Sequence, residues 1–438
     1  MTTAAENELM TRTTPGSPAG ALLREYWQPA ALSAQLHPAR PILPVRLLGE
    51  ELVLFRDAGG RLGLMDQRCP HRGADLCFGR LEDGGLRCAF HGWLFDVTGQ
   101  CLEQPAEPVE SKAHHHLRHS SYPCAERNGI IFAYLGQRTP PSFPAFDCFR
   151  APDQQSFAFK GLWECNWLQA LEVGIDPAHA SFLHRFLEDE SVEAAYGRQF
   201  RSAAADSEVP LTKILREYPR PAINIEDTNF GFRLVTTRAL ADRRMHYRIT
   251  NLAFPNAIVI PMSNEMTITQ WHVPIDDVSC YWYSIFTSFG AAVDRETMRR
   301  QRLEQHTLPN YQPKVGRSNG WGFSAAEQAS RTYTGMGMDI NVHDQWAVES
   351  PGAIFDRTRE HLGKSDVGII KYRKLLQTAL RGLKDGIRPP FIFDPDTAAS
   401  ITGPIAVDAI GTASEQADSW VQRDRERRRY CAWARIDD

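Results

Sequence analysis

Four residues in two short clusters constrain this chain more than any other feature. Cys69-Pro70-His71-Arg72-Gly73 is followed, with sixteen residues between His71 and the next cysteine, by Cys88-Ala89-Phe90-His91-Gly92-Trp93, so the pattern is C-x-H-x16-C-x2-H. Around it, apolar and polar residues alternate between the turn signals Asp57-Ala58-Gly59-Gly60, Asp83-Gly84-Gly85 and Thr98-Gly99-Gln100. Glycine-bearing turns between short alternating runs predict β-hairpins. Each Cys–His pair is therefore expected at a loop tip of a small antiparallel domain over roughly residues 40 to 140.

Two chemistries use two cysteines and two histidines. Structural zinc does, but its paired ligands usually stand two to four residues apart, and C-x-H is tight for that. The other is a Rieske [2Fe–2S] centre, with two thiolates on one iron and two imidazoles on the other. One Cys and one His from each of two facing loops suits that split, and Gly73 and Gly92 let the backbone approach the sulfides. The chain has nine cysteines in 438 residues, too few for a disulfide scaffold. The remaining seven read as buried thiols. Apolar residues at 42% and charged residues at 23% are ordinary globular usage. A net charge of −4 gives no reason to expect nucleic acid or an anionic membrane as partner. No run approaches the roughly 18 apolar residues of a membrane span. The start, MTTAAENELM, does not resemble a secretory signal, so a cytoplasmic protein is expected.

A Pro/Phe-rich connector, TPPSFPAFDCFRAP, marks a domain boundary. Beyond it, Asn166 to Val173 reads as a helix that breaks at Gly174, with Asp176 and Pro177 as N-cap and first residue of a second helix. Asp176 and His179 would share a face. His179 and His184 would lie about 140° apart on an ideal helix, so the helix must distort or end if both are to reach one metal. The plainer reading is two buried, hydrogen-bonded histidines.

CPHRG…CAFHGW together with Glu172-x3-Asp176-x2-His179-x4-His184 resembles the Rieske non-haem iron ring-hydroxylating oxygenases, specifically the oxygenase (alpha) subunit of the phthalate dioxygenase-like branch. Respiratory-chain Rieske proteins carry an extra Cys in each loop, where this chain has Ala74 and Phe90. The resemblance runs from TPGSPAGALLREYWQP (residues 14 to 29) to a C-terminal helix from Ser365 to about Asp385, stopped at Gly386. It implies an α+β architecture: a helical segment (1–30), an all-β Rieske domain (31–145), and a helix-grip (START-like) catalytic domain with an antiparallel sheet (146–438). Cys69, His71, Cys88 and His91 would hold the cluster. His179 and His184 would hold a mononuclear Fe(II) with a distant carboxylate. Asp344 is favoured for that place, with Glu349 and Asp356 as competitors, and His343 as a packing or orienting neighbour. Asp176 would bridge the iron to His91 of an adjacent subunit in a head-to-tail homotrimer or hexamer.

Activating O2 needs two electrons beyond those taken from the substrate, and the cluster holds one at a time. The implied activity is hydroxylation of an aromatic acid, by ring hydroxylation, dihydroxylation or oxidative O-demethylation. The alternative is a Rieske electron-transfer protein without oxygenase activity. No C-x4-C-x2-C or G-x-G-x-x-G motif is evident, so a separate NAD(P)H-dependent flavin/ferredoxin-type reductase is expected. Arg244, His246 and Arg248 alternate on one strand face. Arg244 and Arg248 could clamp a substrate carboxylate, or the strand could be an exposed basic edge. The aromatics Trp271, Tyr281, Trp282, Tyr283, Phe286 and Phe289 read as core or pocket wall. His114, His115, His116 and His119 read as a solvated loop, and Arg423 to Arg429 as a solvated helical face.

Overall fold

The glycine turns of the N-terminal third close short hairpins in the computed structural model, which describes residues 2–188, 209–241, 243–412, 414 and 416–435. Arg12–Pro141 with Pro274–Asp277 form one unit. Met1–Thr11, Ser142–Val273 and Val278–Asp438 form the other.

In the smaller unit, Ile42–Leu47, Glu50–Arg56, Leu62–Asp66 and Ser121–Tyr122 make a four-stranded antiparallel sheet. Alternation dictates its inner face: Leu43, Val45 and Leu47 are buried while Pro44 and Arg46 are exposed. A second sheet joins Arg80–Glu82, Gly85–Arg87, Leu94–Phe95 and Cys101–Glu103, and a third joins Gln28–Leu32, Ile130–Ala133 and Cys124–Arg127. The Cys69 loop leaves the first sheet and the Cys88 loop the second, with the same backbone pattern. Cys69 N–H bonds Ala74 C=O and Gly73 N–H bonds Cys69 C=O; Cys88 N–H bonds Trp93 C=O and Gly92 N–H bonds Cys88 C=O. Gly73 and Gly92 have φ of +75° and +76°, a conformation open to glycine at little cost. Val53, Phe55, Met65, Leu76, Leu86 and Phe95 pack beneath both loops.

The larger unit is built on an eight-stranded antiparallel sheet. Its path runs through Ser156–Trp163, Cys280–Ser288, Met266–Pro274, Ala257–Pro261, Arg244–Ala253, Gly231–Ala239 and Ala222–Thr228. Val407–Thr412 pairs with the first half of Arg244–Ala253, placing Asp408 opposite Arg248. The C-terminal helix spans Val367–Lys384, burying Gly368, Tyr372, Leu376, Ala379 and Leu380 on one stripe. A Cβ at Gly368 would stand 2.4 Å from the Ile175 carbonyl oxygen, so only glycine admits this approach.

The helix before the second motif spans Trp167–Val173, capped by the Asn166 side chain at its start and by Gly174 at its end. Glu172 on it is held by two guanidiniums: Arg357 Nη2 at 2.9 Å and Arg373 Nε at 2.6 Å. Three expectations need correction. The helix expected from Pro177 is a turn through His179 followed by the short helix Ala180–Leu183, because Asp176 Oδ1 accepts the Ala178 N–H at 2.9 Å and holds the chain in a side-chain-closed turn. In the helix Gln416–Arg429, Asp424, Arg427 and Arg428 are buried rather than solvated, because Asp424 and Asp147 neutralise both guanidiniums. His119 is likewise buried, with Nε2 2.8 Å from the Asp66 carbonyl, while His115 and His116 are exposed. No helix among the described residues is long and apolar enough to cross a membrane.

Candidate active site

At the first site the His71 and His91 rings lie 4.4 Å apart, and His71 stacks on Trp93 at 4.4 Å with planes 6° apart. Cys69 and Cys88 are buried, and neither is in a disulfide. Burial pushes the Cys69 thiol up to about 11. Nδ1 of His71 and Nδ1 of His91 are both buried without a hydrogen-bond partner. A buried polar atom without a partner costs free energy unless something ligates it. Two imidazole nitrogens and two thiols in matched loops fit a mixed-ligand [2Fe–2S] cluster.

The second site lies in the larger unit. His179 and His184 flank the short helix Ala180–Leu183, and Asp344 comes from the helix Ile340–Glu349, whose N-terminus Asp339 caps. One ligand atom from each of the three lies within 4.8 Å of the other two. Asp344 Oδ1 is 3.2 Å from His184 Nε2 and 3.8 Å from His179 Nε2, and has no hydrogen-bond partner of proper geometry. His179 turns its other nitrogen, Nδ1, to the Asp176 carbonyl. His184 Nδ1 faces Nδ1 of His343 at 3.5 Å, and Nε2 of His343 meets the Gly337 carbonyl at 2.9 Å. Burial raises the Asp344 carboxyl to about 6 and lowers the His184 imidazole to about 3. Both shifts favour neutral groups, and a divalent cation among them would reverse the preference. Two imidazoles and one carboxylate with outward nitrogens already engaged are the donor set of a non-haem iron site.

The competing carboxylates are committed elsewhere. Glu349 accepts from Glu164 N, Trp321 Nε1 and Gln345 Nε2, and Asp356 caps Thr358.

A cavity of about 100 Å³ opens beside the three residues. Its wall takes alternate positions from successive strands, as the two-residue period of a sheet requires: Ile258 and Ile260, then Ile268, Gln270 and His272, then Trp282, Ser284 and Phe286. Trp282 and Phe286 of the aromatic run therefore face it, whereas Trp271, Tyr283 and Phe289 are buried elsewhere. Arg248 lines the cavity, but Arg244 lines another, so the two guanidiniums do not converge. Arg248 is also engaged by Asp408 at 2.5 Å, and His246 by the same carboxylate at 3.1 Å. Sequence reasoning missed Gln270, His272, Ser284 and Asp408. The alternation Ile268-x-Gln270-x-His272 was the available signal for the first two.

A Rieske [2Fe–2S] domain model matches residues 26–118, and a model described as LigXa C-terminal domain like matches residues 133–403. The chain is 33% identical to the phthalate 4,5-dioxygenase oxygenase subunit of Pseudomonas putida, over 88% of each chain. It is also 33% identical to the tert-butanol monooxygenase / tert-amyl alcohol desaturase oxygenase subunit of Aquincola tertiaricarbonis, over 85% of this chain and 76% of that one. Its fold matches the terminal oxygenase of carbazole 1,9a-dioxygenase from Nocardioides aromaticivorans IC177 with a TM-score of 0.55, at 16% identity, covering 86% of this chain and 98% of that one. The chain belongs to the Rieske non-haem iron oxygenases of the phthalate dioxygenase type, enzymes that pair a [2Fe–2S] cluster with a mononuclear iron and use O2.

Proposed function

We propose that Cys69, His71, Cys88 and His91 hold the cluster, that His179, His184 and Asp344 hold the mononuclear iron, and that a ring-bearing substrate is hydroxylated in the adjoining cavity. The observation that carries this reading is the meeting of three donor atoms within 4.8 Å at the edge of a mainly apolar cavity. With iron bound, the pair of centres supplies single electrons for the reduction of O2 beside the substrate. The chain's own residues do the rest. The isoleucines and aromatics of the sheet exclude water and hold a ring; the engaged outer nitrogens of His179 and His184 fix the direction of their lone pairs. Asp176 spends Oδ1 on its own turn and keeps Oδ2, 4.0 Å from His179 Nδ1, for the imidazole of His91 from a neighbouring copy in a homotrimer or hexamer.

Electrons come from a separate NAD(P)H-dependent flavin/ferredoxin-type reductase, and the protein works in the cytoplasm. The relatives act, by their names, on phthalate and on tert-butanol, an aromatic acid and a neutral aliphatic alcohol. The carboxylate clamp is not carried forward, because Arg244 lines a different cavity and Arg248 is paired with Asp408. The test is product analysis with reductase, ferrous iron and a panel of single-ring compounds, scoring cis-diol, phenol and formaldehyde. NADH consumption without any oxygenated product across the panel would refute the reading.

A further inference from the structure

We propose that Asn341 orients the substrate: its side-chain amide, open to the cavity beside His179, His184 and Asp344, holds a substituent that carries a hydrogen-bond donor beside an acceptor, and so decides which substrate carbon is oxygenated. This rests on the reading that this cavity is the substrate site.

The helix Ile340–Glu349 delivers both Asn341 and Asp344 to the cavity. At 3.6 residues per turn, Asn341 lies about 60° from Asp344, about 40° from Gln345 and about 20° from Val348 around the helix axis. Gln345 and Val348 are buried, so this is the inward side of the helix. Asn341 is nonetheless only half-buried, as Asp344 is, and the surface it keeps is therefore cavity wall. Residues three apart on a helix have Cβ atoms about 5 to 6 Å apart, which sets the amide one turn from the carboxylate proposed to hold the iron.

The amide is uncommitted. Asp339 Oδ1 accepts from the Asn341 backbone N–H at 3.0 Å, but the side chain makes no hydrogen bond among the described residues. It is not sealed off either, since neither its oxygen nor its nitrogen is among the buried polar atoms that lack a partner. The other polar residues of the wall offer less. Gln270 Oε1 accepts from Ser284 Oγ at 2.9 Å, and its Nε2 faces His272 Nε2 at 3.2 Å. Arg248 is held by Asp408 and by the Pro261 carbonyl at 3.2 Å. Thr250 is 7% exposed and carries a single hydroxyl. Asn341 presents an acceptor oxygen and two donor hydrogens together. The complement is a group of the same kind, such as a carboxamide. Apolar contact is non-directional, so the isoleucines and aromatics admit many poses of a ring. Pinning one substituent to the amide selects one pose, and with it the carbon turned toward the metal ligands.

The test is calorimetric titration of the anaerobic holoenzyme with benzamide and α-methylstyrene, which match in shape while only benzamide can pair with an amide. Benzamide is expected to bind the parent about tenfold tighter, the net of one to two hydrogen bonds. Asn341→Leu should bring that ratio close to one while the chain keeps its three irons; if this variant does not fold, Asn341→Ala takes its place. Turnover of benzamide with the reductase should give one dominant oxygenated isomer in the parent. The variant should give a mixture, with more NADH consumed per product. A ratio near one in the parent, a ratio or isomer distribution untouched in the variants, iron lost from them, or benzamide bound but never oxygenated would overturn the inference and leave the substrate-site reading standing. Failure of both ligands to bind the parent would instead overturn that underlying reading.

Discussion

Replacing His343 by leucine tests whether the iron site depends on a neighbour that touches no metal. His343 donates Nε2–H to the Gly337 carbonyl at 2.9 Å, which leaves Nδ1 as an acceptor. His184 Nδ1 lies 3.5 Å from it, so His184 carries its proton there and presents a bare Nε2 toward Asp344, 3.2 Å away. Burial lowers the His343 imidazole to about 4, so it remains a neutral acceptor at pH 7. Leucine removes the acceptor, leaving His184 free to take the other tautomer and point N–H at the metal. Partners of this kind are worth about 10- to 100-fold in metal affinity, which converts to about 1.4 to 2.7 kcal/mol. At 3.5 Å the contact is long, so the lower end, about tenfold, is expected. The assay is competition with a ferrous chelator, with the cluster absorbance as internal standard. His343→Asn offers an oxygen where Nδ1 stood and should recover most of the affinity. If leucine binds iron like the parent, or if asparagine fails as badly as leucine, the tautomer argument is wrong.

Asp408→Asn keeps the side-chain shape but leaves Arg248 without its counter-charge, 2.5 Å away in the parent. Benzoate affinity of the cavity should rise about tenfold or more, measured by calorimetry; no change would mean that Arg248 does not face the ligand. Glu172→Gln removes the carboxylate shared by Arg357 and Arg373. A loss of about 3 kcal/mol is expected in denaturant titration, because buried Arg357 loses its anion and Arg373 keeps only Glu360. His272 and His306 are held down to about 3 and about 4 by burial, against 6.5 when exposed. A base with a depressed folded value contributes stability that is full above 6.5 and lost as pH falls. Each costs about 2 kcal/mol at pH 5, and His306→Phe should flatten the acid limb of the stability curve by about that amount. An unchanged slope would place the acid sensitivity elsewhere.

What was legible in the sequence was local. The two Cys–His loops are contiguous strings, and their glycines at 73 and 92 do take the left-handed conformation that lets each loop turn. His179 and His184 are five residues apart, so only the short stretch between them had to be resolved, and it proved to be one helical turn entered through the Asp176 turn. The C-terminal helix announced itself through a stripe with three- and four-residue spacing. The cavity was not legible as a whole, because its wall is assembled from alternate residues of several strands, and only the sheet pairing sets those faces side by side. Arg248 shows the difficulty best. Its face was readable from alternation, but its partner Asp408 lies 160 residues onward, and only the sheet pairing brings them together. The buried Arg427 and Arg428 failed for the same reason, since one of their partners, Asp147, is 281 residues away from Arg428.

The central claim is that one chain holds a two-iron cluster and a separate single iron on different ligands. Iron and acid-labile sulfide, counted per chain in parent and Asp344→Ala protein, test it directly. The account predicts three irons and two sulfides in the parent, and two irons with two sulfides and an unchanged cluster spectrum in the variant. Three irons retained after the loss of Asp344, or a cluster lost along with the single iron, would contradict it.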